Sequence, residues 1–245
     1  MTIPKVIHYC WFGRQPLPPL AEKCLRSWRK YLPDYEIKEW NEDNFNVGVI
    51  PYTQQAYEAG KYAYVSDYAR FWILYHEGGL YFDTDVEVVK PLDDIIAQGP
   101  FMGMESDAED GEKPTVAPGL GLGAVAGMPA YRELMEMYAT LTFPSPIQQT
   151  IVDHTTNLFC RHGLKAEPGM QVLEGIRLYP SEYFNPTNIS TKKKHITPHT
   201  RCIHHYASSW VEKDWKWHVK LFLQRWVVPE FILLWNHRRK AQKSK

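Results

Sequence analysis

The chain has 245 residues, and its 28 Lys and Arg side chains balance 28 Asp and Glu side chains. This balance excludes a global basic field of the kind that recruits nucleic acid, and there is no acidic tail. The four cysteines, Cys10, Cys24, Cys160 and Cys202, show no Cys-x-x-Cys spacing. They argue against a disulfide scaffold or a zinc site and favour a reducing compartment. The length allows one α/β domain with a sizeable core.

The first 45 residues read as the start of an α/β domain. Residues 3–12 form an apolar run closed by Gly13, which predicts a central strand ending at the carboxyl edge of a sheet. Apolar residues then recur at helical spacing up to Pro33. Residues 35–40 alternate polar and apolar side chains and predict a second strand, which is followed by Asn41.

Residues 64–91 contain the strongest pattern in the chain. Apolar side chains recur at helical spacing from Val65 to His76 and predict an amphipathic helix. Ser66 is the predicted N-cap, and Gly78-Gly79 provides a left-handed stop. Residues 80–82 then predict a short buried strand.

Two pairs of charged side chains accompany this helix and strand. Asp83 and Asp85 follow the strand, and in extended backbone they would point to the same side. Such a pair suits Mg²⁺ or Mn²⁺, and the cation in turn binds phosphate oxygens. Asp67 and Arg70 share a face of the helix and would flank the bound group. An Asp-x-Asp in a solvated turn and a surface ion pair are the alternative interpretations.

The second half of the chain carries one further candidate cluster. Residues 118–123 are rich in glycine but lack the G-x-G-x-x-G spacing, so a Rossmann cofactor site is rejected. Residues 202–210 contain His204 and His205, and their alternation with apolar neighbours predicts a strand on which one imidazole points into the mouth of the sheet and the other away.

Residues 215–245 join an aromatic and aliphatic helix to a basic tail. Charged side chains and Pro229 interrupt its apolar part, which argues against a membrane span, and no signal peptide is evident. Packing on the domain and contact with an anionic membrane surface are the two interpretations of this segment.

The stretch SDYARFWILYHEGGLYFDTDVE, residues 66–87, resembles the signature of glycosyltransferase family 32. These DXD-motif sugar transferases include enzymes of bacterial capsular polysaccharide synthesis and yeast mannosyltransferases. The arrangement is also similar to the catalytic core of the glucosylating clostridial toxins. The matching blocks occur in order and are residues 3–13, 35–45, 62–92 and 202–210.

The resemblance implies a single α/β domain of the GT-A type, with a mostly parallel central sheet flanked by helices. This catalytic domain would cover residues 1–214, with 106–170 as its acceptor-side region, and residues 215–245 would form a C-terminal helix and basic tail.

The resemblance also implies the site residues. Asp85 and His205 would ligate Mn²⁺ or Mg²⁺, with Asp83 reaching the metal through water or contacting the ribose. Asp67 and Arg70 would hold the donor sugar. His204 is the main alternative to His205 as metal ligand.

The nucleotide is expected to contact residues from both ends of the chain. Tyr9, Trp11, Trp40 and Asn41 would lie against the nucleoside. Ser208 would assist the metal, and Trp210 would cap the β-phosphate.

The function implied is metal-dependent, retaining transfer of a hexose from a UDP- or GDP-sugar to a saccharide or lipid-linked saccharide acceptor. Surface or capsular polysaccharide synthesis is the expected setting. The expected location is the cytoplasm, with peripheral membrane contact through residues 215–245, and no nucleic acid partner is expected.

Two alternative functions fit parts of the sequence. A haloacid-dehalogenase-like phosphatase is suggested by residues 82–86, although Glu87 stands where that family has Thr or Val. An inactive nucleotide-sugar-binding module is the second. The sequence specifies neither the donor sugar and base nor the acceptor and oligomeric state.

Overall fold

Strands and helices alternate along most of the chain, as expected for an α/β domain. The computed structural model describes residues 2–109, 111–144, 149–187 and 194–207. The strands are β1 (Val6–Cys10), β2 (Glu36–Trp40), β3 (Gly79–Tyr81), β4 (Val86–Val88), β5 (Phe101–Ser106), β6 (Thr115–Val116), β7 (Leu122–Ala124), β8 (Gln171–Leu173), β9 (Ile176–Tyr179) and β10 (Cys202–His204). The helices are α1 (Pro19–Tyr31), α2 (Pro51–Glu58), α3 (Tyr62–Glu77), α4 (Asp93–Ile96), α5 (Pro129–Ala139), α6 (Ile151–Arg161) and α7 (Ser181–Phe184).

Eight of the strands form one sheet in the order β2-β1-β3-β7-β5-β9-β8, with β6 paired to β5. β1, β2, β3, β5 and β9 run in one direction, and β6, β7 and β8 run against them. The carboxyl ends of five strands therefore lie along one edge. The expectation of an α/β domain with a mostly parallel central sheet flanked by helices is confirmed.

An apolar cluster covers each face of this sheet, because side chains alternate along every strand. Ile7 of β1 and Leu80 of β3 pack with Trp28 of α1 on one face. Tyr81 of β3 packs with residues of α2, α3 and α5 on the other face, including Phe71. Burial on both sides explains why β1 and β3 are continuous apolar runs rather than alternating ones.

Helix α3, which covers the second face of the sheet, begins earlier than predicted but ends where the sequence predicted. α3 begins at Tyr62, so Ser66 lies inside the helix, where its Oγ donates to the Tyr62 carbonyl at 3.2 Å. The Ser66 cap prediction is wrong. Gly78 ends the helix with a φ of 67°, as the Gly-Gly stop predicts.

The Asp83-Thr84-Asp85 segment is a turn and not the extended backbone that the sequence predicted. The Val86 amide donates to the Asp83 carbonyl at 3.0 Å, which closes the turn. β4 then leaves the main sheet and pairs antiparallel with β10, with His204 opposite Val86. This second, two-stranded sheet brings residues near the end of the described chain to the acids near position 84.

The structure covers only part of the predicted division into residues 1–214 and 215–245. The described residues belong to one compact unit, and the predicted boundary at residue 214 and the segment 215–245 lie outside them. Within the described ranges, every helix is too short or too polar to cross a membrane.

Candidate active site

Arg70 is the centre of a buried polar network at the carboxyl edge of the sheet. Its Nη2 donates to Asp67 Oδ1 at 3.0 Å, and its Nη1 lies 3.3 Å from both carboxylate oxygens of Asp83. Nη1 also donates to the Pro118 carbonyl at 2.6 Å, and Nε donates to the Ser66 carbonyl at 3.1 Å. The guanidinium fork is thus fixed in one orientation between two acids.

The glycine-rich segment allows this network to close. A Cβ atom added to Gly119 would overlap Asp83 Oδ2 and would lie 2.9 Å from Arg70 Nη1. The Gly119 carbonyl accepts a hydrogen bond from the Asp83 amide at 3.0 Å. The segment that lacks the spacing of a dinucleotide site therefore forms the wall against which Asp83 and Arg70 meet.

Burial shapes the acidity of the two carboxyl groups in the network. It raises the pKa of Asp67 to about 7 against the opposing effect of the Arg70 charge. It also raises the pKa of Asp83, with Arg70 again opposing the shift. Arg70 therefore favours the ionised form of both carboxyl groups, and burial outweighs it at each.

Asp85 lies next to this network and pairs with His204. The His204 Nε2 lies 3.0 Å from Asp85 Oδ1, and the Ala207 amide donates to Asp85 Oδ2 at 2.7 Å. Burial alone would raise the pKa of Asp85, but the hydrogen bond and charge of His204 outweigh it and the pKa is lowered. For the same reason the pKa of His204 is raised in spite of burial.

His205 points elsewhere, which corrects the prediction that it pairs with Asp85. Its Nε2 lies 2.8 Å from Glu87 Oε2, which also accepts a hydrogen bond from Lys23 Nζ at 2.7 Å. Because the side chains of neighbouring strand residues point in opposite directions, only one of the two histidines can face Asp85. His204, the alternative candidate, is the histidine in contact with Asp85, and its role as a metal ligand stays a prediction.

The Asp85–His204 pair suits a divalent cation. Its two donor atoms are 3.0 Å apart, close to the separation expected of neighbouring ligands on an octahedral ion with bonds of about 2.1 Å. The other imidazole nitrogen, His204 Nδ1, is buried and has no hydrogen-bond partner among the described residues. Over the same ranges, no three His, Cys, Asp or Glu residues form a ready-made metal cluster. Mg²⁺ sites commonly use only one or two carboxylates together with substrate phosphates and water.

The residues predicted to contact the nucleoside separate into two groups. Trp40 is 3% exposed, and its Nε1 donates to His8 Nδ1 at 3.0 Å. Tyr9 is 5% exposed, and its hydroxyl donates to Glu39 at 2.5 Å. Their rings lie in the core and present no face to a base.

Trp11 and Asn41 are half-buried at the carboxyl ends of β1 and β2. Trp11 donates from Nε1 to the Gln15 carbonyl at 2.6 Å, and Asn41 belongs to a capping turn with Asn44. They remain the accessible members of the predicted set. Ser208 and Trp210 lie outside the described residues.

The structure also adds residues to which the sequence pattern assigned no role. Glu105 at the end of β5 and Tyr206 after β10 lie beside His204. The sequence could have pointed to Glu105, because it is an acidic residue at the carboxyl end of a predicted strand. Its contact with Tyr206 could not be predicted, because the two residues are 101 positions apart in the chain.

Comparison with known proteins agrees with this architecture. Residues 18–102 match the family described as "Glycosyltransferase sugar-binding region containing DXD motif". A 111-residue match to "Inositol phosphoceramide mannosyltransferase 1" of Schizosaccharomyces pombe is 28% identical and covers 41% of this chain. The match covers 33% of that protein, so this chain spans about a third of its length.

A longer match is to "Uncharacterized glycosyltransferase L373" of Acanthamoeba polyphaga mimivirus. It is 24% identical and covers 89% of this chain and 86% of the viral protein. Among solved structures, "PaToxG Glycosyltransferase" aligns with a TM-score of 0.50 and 18% identity over 65% of this chain and 69% of that one, which shows a shared fold. Through residues 18–102, this chain is therefore similar to the glycosyltransferases with a DXD-containing sugar-binding region, the family that its sequence resembles.

Proposed function

We propose that this protein is a metal-dependent, retaining glycosyltransferase that moves a hexose from a UDP- or GDP-sugar to a saccharide or glycolipid acceptor. One observation carries the proposal. Asp85 and His204 are 119 residues apart in the chain yet meet at 3.0 Å beside the Asp67–Arg70–Asp83 network. Both groups lie at the carboxyl edge of an α/β sheet, where such folds bind ligands.

The residues present fit the expected cation. A bound Mn²⁺ or Mg²⁺ would supply Lewis-acid stabilisation of the negative charge that develops on the departing diphosphate. Asp85 and His204 would hold it directly, and Asp83 would reach it through water.

The chain's own residues would bind and orient the donor sugar. Arg70 is held by carbonyl and carboxylate oxygens, so little side-chain entropy remains to be lost when a ligand binds. Asp67 binds Arg70 through Oδ1, and in this proposal Asp67 accepts hydrogen bonds from donor hydroxyl groups through its remaining capacity. The retaining outcome rests on the family resemblance alone.

The setting is also a proposal. Surface or capsular polysaccharide synthesis rests on the sequence resemblance, and action in the cytoplasm at the membrane surface rests on the apolar and basic composition of residues 215–245. The phosphatase alternative is not favoured: it needs Asp83 as a nucleophile, and Arg70 binds both oxygens of that carboxylate.

A thermal-shift panel of nucleotide sugars tests the proposal. With Mn²⁺ present, the correct donor at 100 times its Kd should stabilise the protein by about 2.7 kcal/mol. For a protein of this size that corresponds to a rise in Tm of roughly 5–10 °C. Mn²⁺ alone, and the free sugars with Mn²⁺, serve as controls. The proposal fails if no UDP- or GDP-sugar shifts the Tm, and binding with neither hydrolysis nor transfer would favour the inactive module.

The histidine assignment gives a separate prediction. With UDP or GDP present, His204→Ala should weaken Mn²⁺ binding by more than the roughly tenfold that loss of even an outer-shell partner costs. His205→Ala removes a contact to Glu87 and should leave Mn²⁺ affinity nearly unchanged. Titration calorimetry measures the Mn²⁺ affinity of the two variants. A larger loss of affinity in His205→Ala than in His204→Ala would favour His205 as the ligand.

A further inference from the structure

Glu105 is a carboxylate at the mouth of the sheet to which neither the DXD motif nor the Asp67–Arg70 pair assigns a role. It is the penultimate residue of β5, whose carboxyl end lies on the same edge as that of β3, which precedes Asp83. Its side chain is partly exposed. It is therefore an acid held in place beside the proposed donor site and open to a ligand.

The contacts of Glu105 fix its position without saturating its oxygens. Asn185 Nδ2 donates to the Glu105 backbone carbonyl at 3.0 Å, which anchors the strand end. The Tyr206 hydroxyl lies 3.4 Å from Glu105 Oε1, longer than the roughly 2.7 Å of a typical O–H···O bond. Among the described residues, no arginine or lysine forms an ion pair with it. Burial raises the pKa of Glu105, as expected for a carboxylate that lacks strong donors.

Tyr206 links this carboxylate to the Asp85–His204 pair. Its ring centroid lies 4.1 Å from that of His204, and the next residue, Ala207, donates its amide to Asp85 Oδ2 at 2.7 Å. Tyr206 also has a φ of 50°, the left-handed region that non-glycine residues rarely adopt. Such backbone conformations concentrate at functional sites, where the surrounding contacts maintain them. One tetrapeptide, residues 204–207, therefore contacts both Asp85 and Glu105.

The order of strands places Glu105 on the side of the site away from the nucleoside. The accessible nucleoside candidates Trp11 and Asn41 follow β1 and β2, whereas β5 is separated from β1 by β3 and β7. If the nucleoside lies at Trp11 and Asn41 and the diphosphate at Asp85, as proposed, the strand order would direct the donor sugar toward β5. The second substrate would then approach from the β5 side.

We propose that Glu105, oriented by Tyr206, binds the hydroxyl group that attacks the donor sugar. This proposal rests on the proposed glycosyltransferase function. A sugar hydroxyl donates its hydrogen bond to Glu105, and the Tyr206 hydroxyl lies beside the same carboxylate at 3.4 Å. As the hydroxyl oxygen bonds to the anomeric carbon, the bond from that carbon to the diphosphate oxygen breaks. The hydroxyl proton goes to the departing diphosphate, which is the leaving group. Water is the smallest such hydroxyl, so hydrolysis of the donor in the absence of an acceptor uses the same contact.

Glu105→Gln tests the proposal with little change in shape. The probes are the nucleotide sugar that stabilises the wild-type protein, with water alone and with methyl hexosides as acceptors. We expect kcat for hydrolysis and transfer to fall roughly 10²-fold, the loss typical of a misplaced reacting group, while the donor Kd from calorimetry stays at the wild-type value. Glu109→Gln, which changes an exposed carboxylate four residues further along the chain, is the matched control and should behave as wild type.

Two further variants separate this function from a structural role. Added formate should restore part of the turnover of Glu105→Ala, because a free carboxylate can occupy the vacated position. Tyr206→Phe keeps the ring on His204 and should lower kcat without changing Mn²⁺ affinity. The assignment is overturned if Glu105→Gln turns over normally, or if its donor Kd weakens in proportion to kcat. If the wild-type protein binds no nucleotide sugar, the proposed function itself fails.

Discussion

Asp85→Asn is expected to reduce metal-dependent sugar transfer by about 10³-fold or more, with the fold intact. A Lewis-acid contribution of several kcal/mol corresponds to this factor, because each 1.36 kcal/mol is tenfold in rate. The substitution would keep the size of the side chain but remove the charge that faces His204 and the predicted cation. It would also present an amide group to two donors, His204 Nε2 and the Ala207 amide, that both contact carboxylate oxygens in the native protein.

The measurement is turnover of the selected nucleotide sugar over a range of Mn²⁺ concentrations, with thermal unfolding followed in parallel. Asp34→Asn is the control, because Asp34 is exposed and its contact with Lys5 at 3.6 Å lies on the surface. Near-normal turnover of Asp85→Asn at every Mn²⁺ concentration would contradict the metal assignment. A large fall in Tm would instead show that Asp85 is needed for folding.

The spacing of apolar residues in the sequence identified the main helix and strands near the site, because that spacing depends only on the local geometry of a helix or a strand. Of the predicted apolar face of α3, Val65, Ala69 and Ile73 are buried in the core. His76 at its end is exposed, and Phe71 and Leu74, outside that face, are buried as well. Gly78 ends that helix because its φ is positive, which is also a local property of the backbone. The sheet that these elements build, and the edge at which Asp83 lies, could therefore be predicted.

The start of α3 could not be predicted, because a tertiary contact determines it. Ser66 has the chemistry of a cap, but the helix extends one turn further to Tyr62. The Tyr62 ring lies over Gly13, where a Cβ atom would collide with it, and beside Tyr57 at 5.4 Å. Packing of the first turn thus outweighs a local capping preference.

The choice between the two histidines also depended on tertiary structure. Alternation along a strand says that one imidazole faces the site, but it does not say which one. The register of β10 on β4 decides it, because His204 is paired with Val86, next to Asp85. Burial of Tyr9 and Trp40 is a similar case, since an aromatic side chain at a strand end suits the core and a ligand surface equally well.

The largest effect on stability is expected for Arg70→Met. Removing the guanidinium would leave Asp67 and Asp83 without their common partner, and breaking a buried ion pair in this way costs about 3–5 kcal/mol of the free energy of unfolding. The Pro118 carbonyl, which accepts from Arg70 Nη1 at 2.6 Å, would lose its donor as well. Unfolding in urea, followed by fluorescence, measures the change.

Arg132→Met is the matched control for this prediction. Arg132 lies 3.8 Å from Glu136 and is 61% exposed, so the same substitution there should change the free energy of unfolding by less than about 1 kcal/mol. Equal effects at the two positions would show that Arg70 does not neutralise a buried cluster. The double variant Arg70→Met with Asp83→Asn removes one of the stranded charges and should recover part of the loss through a coupling energy of roughly 0.5–3 kcal/mol.

This cycle also determines how activity data for Arg70 should be interpreted. Turnover of the double variant is compared with that of Asp83→Asn alone, because Asp83 is itself assigned to the metal site. If the double variant is as stable as Asp83→Asn but turns over more slowly, Arg70 acts on the substrate in addition to supporting the fold. If both stability and turnover match those of Asp83→Asn, the guanidinium serves chiefly to keep the two acids ionised and in place. The proposed function predicts the first outcome, because it assigns Asp67 and Arg70 to the donor sugar and the two side chains are in contact.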